Sequence, residues 1–252
     1  MSAETILITG ATGRIGHKLT THFRAKGWTV IATSRNAQRL EVLARSTISA
    51  GHLEPIVLDI AAAGATSRLL DQLSARGLLP HHVVNNARDL TNLALSDDGQ
   101  PTPEQWSKEF NLGVVRPYEM SLALAHASGS RLASIVNVAS IYGVVAANPY
   151  LYDQPARQSP VHYGVIKAAL LHLTRELAVR LAPNKVRVNA VSYGGVEGRV
   201  DAAFLARYAA LSPSGKMLTG SDIPGPVDFL TSAGASATTG HNLVVDGGWT
   251  IW

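Results

Sequence analysis

Cysteine is missing from all 252 residues, and this absence removes disulfides, thiolate zinc sites and cysteine nucleophiles from the available chemistry. No apolar run approaches the ~20 residues that span a bilayer, so no transmembrane helix is expected. The N-terminal Met-Ser-Ala-Glu-Thr enters a short apolar run with no basic region or cleavage-like site. A signal peptide is therefore not expected, and a cytoplasmic location is the default. Charged residues are only 16% of the chain against 46% hydrophobic, the balance of a soluble globular protein rather than a disordered one. The net charge is +4, yet Lys and Arg are scattered, with no basic run and no interleaved aromatics. That distribution favours a few arginines serving an anionic small molecule over a nucleic-acid surface or a membrane.

What is present is an alternation of short apolar runs with amphipathic stretches. Runs at 5–9, 28–33, 53–60, 82–87, 134–140, 185–191 and 242–246 read as strands. Between them, helices are expected near 14–26, 36–46, 66–76, 105–126 with a kink at Pro117, 163–181 and 222–231. Thr102-Pro-Glu-Gln carries a helix-start signature before the fourth of these. Tyr193-Gly-Gly reads as the break after the sixth strand. Alternation without an internal linker predicts one α/β domain over 1–252, built on a parallel sheet of about seven strands. Residues 143–162 form a long insertion, too long for a plain connection, and 196–219 reads as a mobile helical flap.

Tyr163-Gly-Val-Ile-Lys167 opens the apolar helix, whose stripe is Ile166, Leu170, Leu173, Leu177 and Leu181. Positions i and i+4 lie one above the other on a helix, so the Tyr163 hydroxyl and the Lys167 ammonium can share a cleft. An ammonium beside a phenol stabilises phenolate, which makes Tyr163 a candidate general acid or base. Tyr142, Tyr150 and Tyr152 are followed four residues later by Ala146, Gln154 and Ala156, so they fail the same test.

Directly after the first strand comes Gly10-Ala-Thr-Gly13-Arg-Ile-Gly16, then a helix. A strand, a tight glycine turn and a helix N-terminus make an anion cradle suited to a dinucleotide pyrophosphate. The second strand ends in Ser34-Arg35-Asn36, where an NAD site would place a carboxylate for the ribose 2′-hydroxyl. Arg35 can instead hold a 2′-phosphate by charge-assisted bonds, so NADP(H) is favoured and NAD(H) is the alternative. Arg14 can add to that field or sit solvated at the helix start. Asp59 is expected near the adenine, or as a helix cap.

Across its whole length the sequence resembles the classical short-chain dehydrogenase/reductase family. The likeness is carried by Thr9-Gly-Ala-Thr-Gly-Arg-Ile-Gly16, Asp59, Asn85-Asn-Ala87, Asn111, Ser140, Tyr163-x-x-x-Lys167, Arg187-Val-Asn189 and Val245-Asp-Gly-Gly248. It implies a single-domain Rossmann fold, a doubly wound parallel sheet with helices on both faces. The implied catalytic set is Asn111, Ser140, Tyr163 and Lys167. Tyr163 would move a proton at the substrate oxygen, Lys167 would assist it and hold the nicotinamide ribose, Ser140 would bond the same oxygen, and Asn111 would anchor a relay water. The implied cofactor site comprises Gly10, Thr12, Gly13, Arg14, Ile15, Gly16, Ser34, Arg35, Asp59, Ile60, Asn86, Ala87, Tyr163, Lys167, Tyr193, Gly194 and Val196. No metal is required.

Several positions depart from the family pattern. The glycine spacing is closer to the family's extended branch. Arg88 stands where Gly usually follows Asn-Asn-Ala, and Tyr193 stands in place of Pro, where it is expected to alter the lip of the nicotinamide pocket. The Ser140–Tyr163 segment is longer than usual, as in bacterial members linked to sugar and nucleotide-sugar metabolism. Arg88, Arg157 and Arg199 are expected near its mouth, consistent with an anionic or sugar-like carbonyl or alcohol substrate. The resemblance also implies a homotetramer, with a dimer as the alternative, whose contacts would cover an aromatic tail from Trp249 to Trp252. Two other readings remain open: an NADP-sensing regulator without turnover, and a sugar epimerase or dehydratase that recycles its bound cofactor.

Overall fold

The computed structural model describes residues 4–45, 50–96 and 98–252. Seven strands form one parallel sheet: β1 (Thr5–Ile8), β2 (Thr29–Ser34), β3 (Leu53–Val57), β4 (His82–Asn85), β5 (Ser134–Ser140), β6 (Arg187–Tyr193) and β7 (Asn242–Val245). Their order across the sheet is β3-β2-β1-β4-β5-β6-β7. The chain winds outward from β1 to β3, then returns to place β4 on the other side of β1. Between β1 and β4 the crossovers therefore diverge, leaving a crevice at the carboxyl ends of the strands.

The strands read as continuous apolar runs because both faces are covered. Side chains alternate along β1: Ile6 and Ile8 point to one face and Leu7 to the other. The first face packs on α1 (Arg14–Ala25) through Leu19 and Phe23, on α2 (Ala37–Arg45) through Leu40 and Leu43, and on α9 (Pro224–Thr231) through Val227 and Leu230. The second packs on α3 (Ala65–Ala75) through Leu69 and Leu73, on α5 (Arg116–Ala125) through Met120 and Leu124, and on α7 (Val161–Arg180) through Leu177. The doubly wound α/β architecture matches the expectation from alternation.

Thr102 caps α4 (Pro103–Phe110) in a capping box with Gln105, the device its sequence announces. Other expectations need correction. Where a kink is expected at Pro117, the chain has a π-helical turn, Asn111–Val115, that joins α4 to α5 without a break. Pro117 follows it directly and removes one amide from the continuous ladder, which the π turn widens at the Arg116 amide, bonded back to the Asn111 carbonyl. Tyr193 does not break β6 but ends it, paired with Ser140 and Val245. Trp249 is not part of an exposed tail: it is 5% exposed and stacked on Tyr208 at 4.4 Å, while Ile251 and Trp252 lie open. Within 196–219 only α8 (Ala202–Leu211) is helical, and within 143–162 a short α6 (Pro155–Gln158) precedes α7. Residue 46 of the second expected helix and residue 97 of the loop before α4 lie outside the described residues.

At the amino edge of β4, His82 is buried beneath the sheet's end. Its Nδ1 lies 2.8 Å from Ser134 Oγ, its ring stacks on Trp28 at 5.1 Å, and Glu4 lies 3.4 Å from Nε2. Burial outweighs Glu4 and depresses the imidazole to about 4. A folded-state value below the unfolded one means that the unfolded chain takes up the proton first on acidification. Stability is then complete above pH ~6.5 and is lost towards pH ~4, at about 1.4 kcal/mol per unit. Urea unfolding should show a loss of about 2–3 kcal/mol between pH 7 and pH 4.5 that His82→Gln largely removes. An equally steep loss in the variant would mean that other groups carry it.

Candidate active site

The crevice between β1 and β4 is a cleft of about 960 Å³, at the upper end of the ~300–1,000 Å³ common for ligand sites. The glycine turn forms its floor. Gly10 has φ +64°, and a Cβ there would lie 2.8 Å from Ala87 Cα. At Gly16 a Cβ would lie 2.3 Å from the Gly10 carbonyl oxygen, so this glycine lets α1 close onto the turn. Thr9 and Asn86 hold the turn against β4: Asn86 Nδ2 donates to the Thr9 and Gly10 carbonyls at 2.9 and 3.2 Å, and Thr9 Oγ1 accepts from the Asn86 amide. Thr12 Oγ1 meets Ser34 Oγ at 2.8 Å, tying the turn to the end of β2. The first turn of α1 carries no acid, and its unpaired amides face the cleft with Gly13, Arg14 and Ile15. A cradle that added side-chain atoms would fill, at a helix N-terminus without acids, fits a dinucleotide pyrophosphate.

At the β2 end of the cleft, Arg35 is ion-paired with Asp89 across the opening. The pairing lowers the Asp89 carboxyl to about 2, with the Arg35 hydrogen bond as the largest cause. Arg39, in the first turn of α2, lines the same cleft and has no carboxylate partner among the described residues. Asp59 and Ile60 also line it, and Asp59 Oδ1 accepts from the Ala61 amide at 3.0 Å, capping the turn after β3. Arg14 lines the cleft as well, and its Nη1 donates to the Val196 carbonyl at 3.1 Å, joining the start of α1 to the segment after β6.

At the other end, Asn111, Tyr163 and Lys167 line the cleft together. The π-helical turn presents Asn111 there, with its Nδ2 3.5 Å from the Ala61 carbonyl. Lys167 is buried, and its Nζ donates to the Val138 carbonyl of β5 at 2.8 Å. Burial lowers its pKa and nearby Arg88 adds to the depression, whereas Tyr163 and Glu109 oppose it. The Tyr163 ring is flanked by two cations, with Lys167 Nζ 5.8 Å and Arg88 Cζ 4.3 Å from its centroid. Asn85, Asn137 and Thr174 form a buried ladder of side-chain bonds, at 2.8 and 2.9 Å, that fastens β4 to β5 and β5 to α7.

Not every expected residue lies on this surface. Ser140 ends β5 one residue beyond Ala139, a lining residue, and its Oγ accepts from the Tyr142 amide at 3.2 Å. A hydroxyl that accepts there keeps its own proton available to donate. Tyr193 is no lip of the pocket: it is 4% exposed, packed on the α9 side, and its hydroxyl donates to the Ile223 carbonyl. The alternation of β6 sends residue 193 to the same face as Val191. Gly194 and Val196 follow it without lining the cleft; Gly194 is packed beside Asp246, and Val196 bridges to Leu218. Arg157, on α6, packs beside Gly99 away from the cleft, whereas Arg199 lines it.

Three features escape the sequence reading. Asp89 and Arg39 shape the Arg35 end. Behind Tyr163 lies a buried group: Glu109 accepts from Asn92 Nδ2 at 3.4 Å, and the Asn92 carbonyl meets His162 Nε2 at 2.8 Å. The insertion and the flap are joined: Arg207 of α8 donates to the Leu151 carbonyl at 2.9 Å and pairs with Asp153 at 3.1 Å, and Phe204 meets Tyr152 edge-on. Tyr142 and Tyr152 share a hydroxyl contact, and burial pushes both phenols upward, so they stay neutral.

A family model described as enoyl-(acyl carrier protein) reductase matches residues 10–250. Protein FixR of Bradyrhizobium diazoefficiens is 30% identical, over 97% of this chain and 86% of its own. Galactitol 2-dehydrogenase (L-tagatose-forming) of Cereibacter sphaeroides is 29% identical, over 97% and 94%. Among solved structures, a short chain dehydrogenase from Leptospira borgpetersenii with bound NAD+ superposes with a TM-score of 0.84 at 27% identity, covering 98% of this chain and 93% of that one.

Proposed function

The chain belongs to the classical short-chain dehydrogenase/reductase family, oxidoreductases of CH–OH and C=O groups that use NAD(P), and from that premise we propose that it interconverts a secondary alcohol and a ketone or aldehyde with NADP(H). The observation that carries this reading is the meeting of Tyr163, Lys167 and Asn111 in the cleft that the glycine turn floors. The substrate is a small polar or sugar-like metabolite; a polyol dehydrogenase 29% identical over nearly the whole chain supports that class.

When bound, the nicotinamide supplies or accepts the hydride. The chain's own part is to manage charge on the substrate oxygen, which becomes negative as a carbonyl is reduced. Tyr163 donates a proton to that oxygen, or removes one in the oxidative direction. Lys167, fixed by the Val138 carbonyl, places a cation beside the phenol where it favours phenolate. Ser140 uses its free O–H to bond the same oxygen, and Asn111 anchors a water that relays protons through Lys167. Thr12, Gly13 and Ile15 frame the pyrophosphate site, while Asn86 and Ala87 keep β4 close to it.

Preference for the 2′-phosphorylated cofactor rests on the end of β2. Ser34-Arg35-Asn36 contains no carboxylate, and Arg39 adds a second cation from the first turn of α2. Asp89 opposes the preference by holding Arg35. The assembly is a homotetramer: Phe110 and Tyr118 on α4 and α5, and Val161, Val165 and Val179 on α7, are exposed apolar side chains on two neighbouring helical faces.

Tyr163→Phe removes only the phenolic oxygen; it should lower turnover by about 10²–10⁴-fold and leave NADPH affinity within about twofold. Near-normal turnover would refute the proton role. Fluorescence titration should show NADPH bound more tightly than NADH, with Arg35→Ala erasing the difference and Asp89→Asn enlarging it several-fold. Equal binding of both cofactors by the wild type would remove the phosphate clamp. In sedimentation velocity the protein should run as four chains; a monomer at micromolar concentration would contradict the assembly.

A further inference from the structure

We propose that Arg88 is the residue that selects the substrate, by holding a carboxylate next to the carbonyl or hydroxyl presented to Tyr163. The inference rests on the redox reading above and narrows its substrate to short oxo- or hydroxy-carboxylates, a class that includes the sugar acids.

Arg88 follows Asn85-Asn-Ala87 at the carboxyl edge of β4, in the crevice itself, and its exposed side chain lines the cleft with Tyr163 and Lys167. The guanidinium lies over the Tyr163 ring, 4.3 Å from its centroid. No ion pair or hydrogen bond joins it to a carboxylate among the described residues. The acid beside it in sequence, Asp89, faces the other way and is occupied by Arg35. Asp59 caps its own turn, and Glu109 lies buried against Asn92. The catalytic end of the cleft therefore carries Lys167 and Arg88, one buried and one parked on an aromatic face, with no acid in contact with the exposed one.

Two cations around one phenol repel each other, and the depression of Lys167 by Arg88 records that repulsion. An anion bound at Arg88 would relieve it. The guanidinium fork matches a carboxylate bidentately and offers what an ammonium or a hydroxyl cannot. Stacking also fixes the distance scale: a group bonded to Arg88 and an oxygen at the Tyr163 hydroxyl are separated by little more than half a ring and a stacking gap. Only a few covalent bonds can bridge that span, which points to a carboxylate one or two carbons from the reacting centre. Glycine, the residue that resemblance leads one to expect at this position, has no donor to offer, so the selectivity belongs to this chain.

The test uses the full-length protein saturated with NADPH, with the fluorescence of the bound nicotinamide as readout and succinate as the probe. Wild type should bind succinate and ignore succinamide, its uncharged counterpart. Arg88→Gly should weaken succinate binding at least tenfold while leaving NADPH affinity within twofold, and Arg88→Lys should recover part of the loss. Succinate bound equally well by Arg88→Gly, or not bound by wild type, would overturn the proposal. A tenfold loss of NADPH affinity in Arg88→Gly would overturn it too, because Arg88 would then serve the pyrophosphate. Failure of wild type to bind NADPH at all would defeat the redox reading and this inference with it, an outcome distinct from the others.

Discussion

The Lys167 ammonium, buried and donating to the Val138 carbonyl, couples the two halves of the cleft. Withdrawing a charge from water is costly unless partners are fixed in advance. Here α7 and β5 are fastened together by Asn137 and Thr174, which holds the Val138 carbonyl within reach of the ammonium. Asn85 extends the same ladder to β4, which carries Asn86 and thus the glycine turn. The position of Tyr163 on α7, the depth of Lys167 and the shape of the cofactor cradle are consequences of one set of buried polar bonds. Removing one member would strand the others without partners, which is why such networks are satisfied completely or replaced entirely.

The cleft is electrostatically divided along its length. At the β2 end the excess positive charge is partly neutralised within the chain, through Arg35 and Asp89, and Arg39 remains open. At the α7 end Arg88 and Lys167 both lie close to the Tyr163 ring, and among the described residues no carboxylate pairs with Arg88. Adjacent residues 88 and 89 thus serve different parts of the cleft, and Arg39, Arg88 and Arg199, which all line it, have no carboxylate partner among the described residues. The formal charge of +4, diffuse in the sequence, is locally concentrated where phosphate and carboxylate would bind.

Much of this architecture is legible in the sequence, because a buried parallel strand is a short apolar run and the glycine turn stands between a strand and a helix, where it has a specific use. Helical spacing puts Tyr163 and Lys167 on one face, and the motifs around them single that pair out. The misses have physical causes. The π-helical turn at Asn111 leaves no compositional trace of its own, since it is one extra residue in the ladder; Pro117 marks the neighbourhood of the irregularity but not its form. Tyr193 resembles a turn residue beside Gly194, but strand alternation buries its ring and the Ile223 carbonyl satisfies its hydroxyl. Trp249 finds Tyr208 across 41 residues, and Asp89 finds Arg35 across 54; neither partnership is visible locally. Arg39 could have been found in the first turn of the helix that follows Arg35.

The reaction proposed for this cleft is net hydride exchange between a nicotinamide and a substrate carbon, with the proton handled by the protein. It is tested most directly with NADPH deuterated at C4, in separate experiments with each face labelled, and a carbonyl substrate that the enzyme turns over. One deuterium should reach the product's carbinol carbon for every NADPH oxidised, from one face only. A substrate converted with no net oxidation of NADPH and no deuterium on the product carbon would contradict it and identify an enzyme that recycles its cofactor.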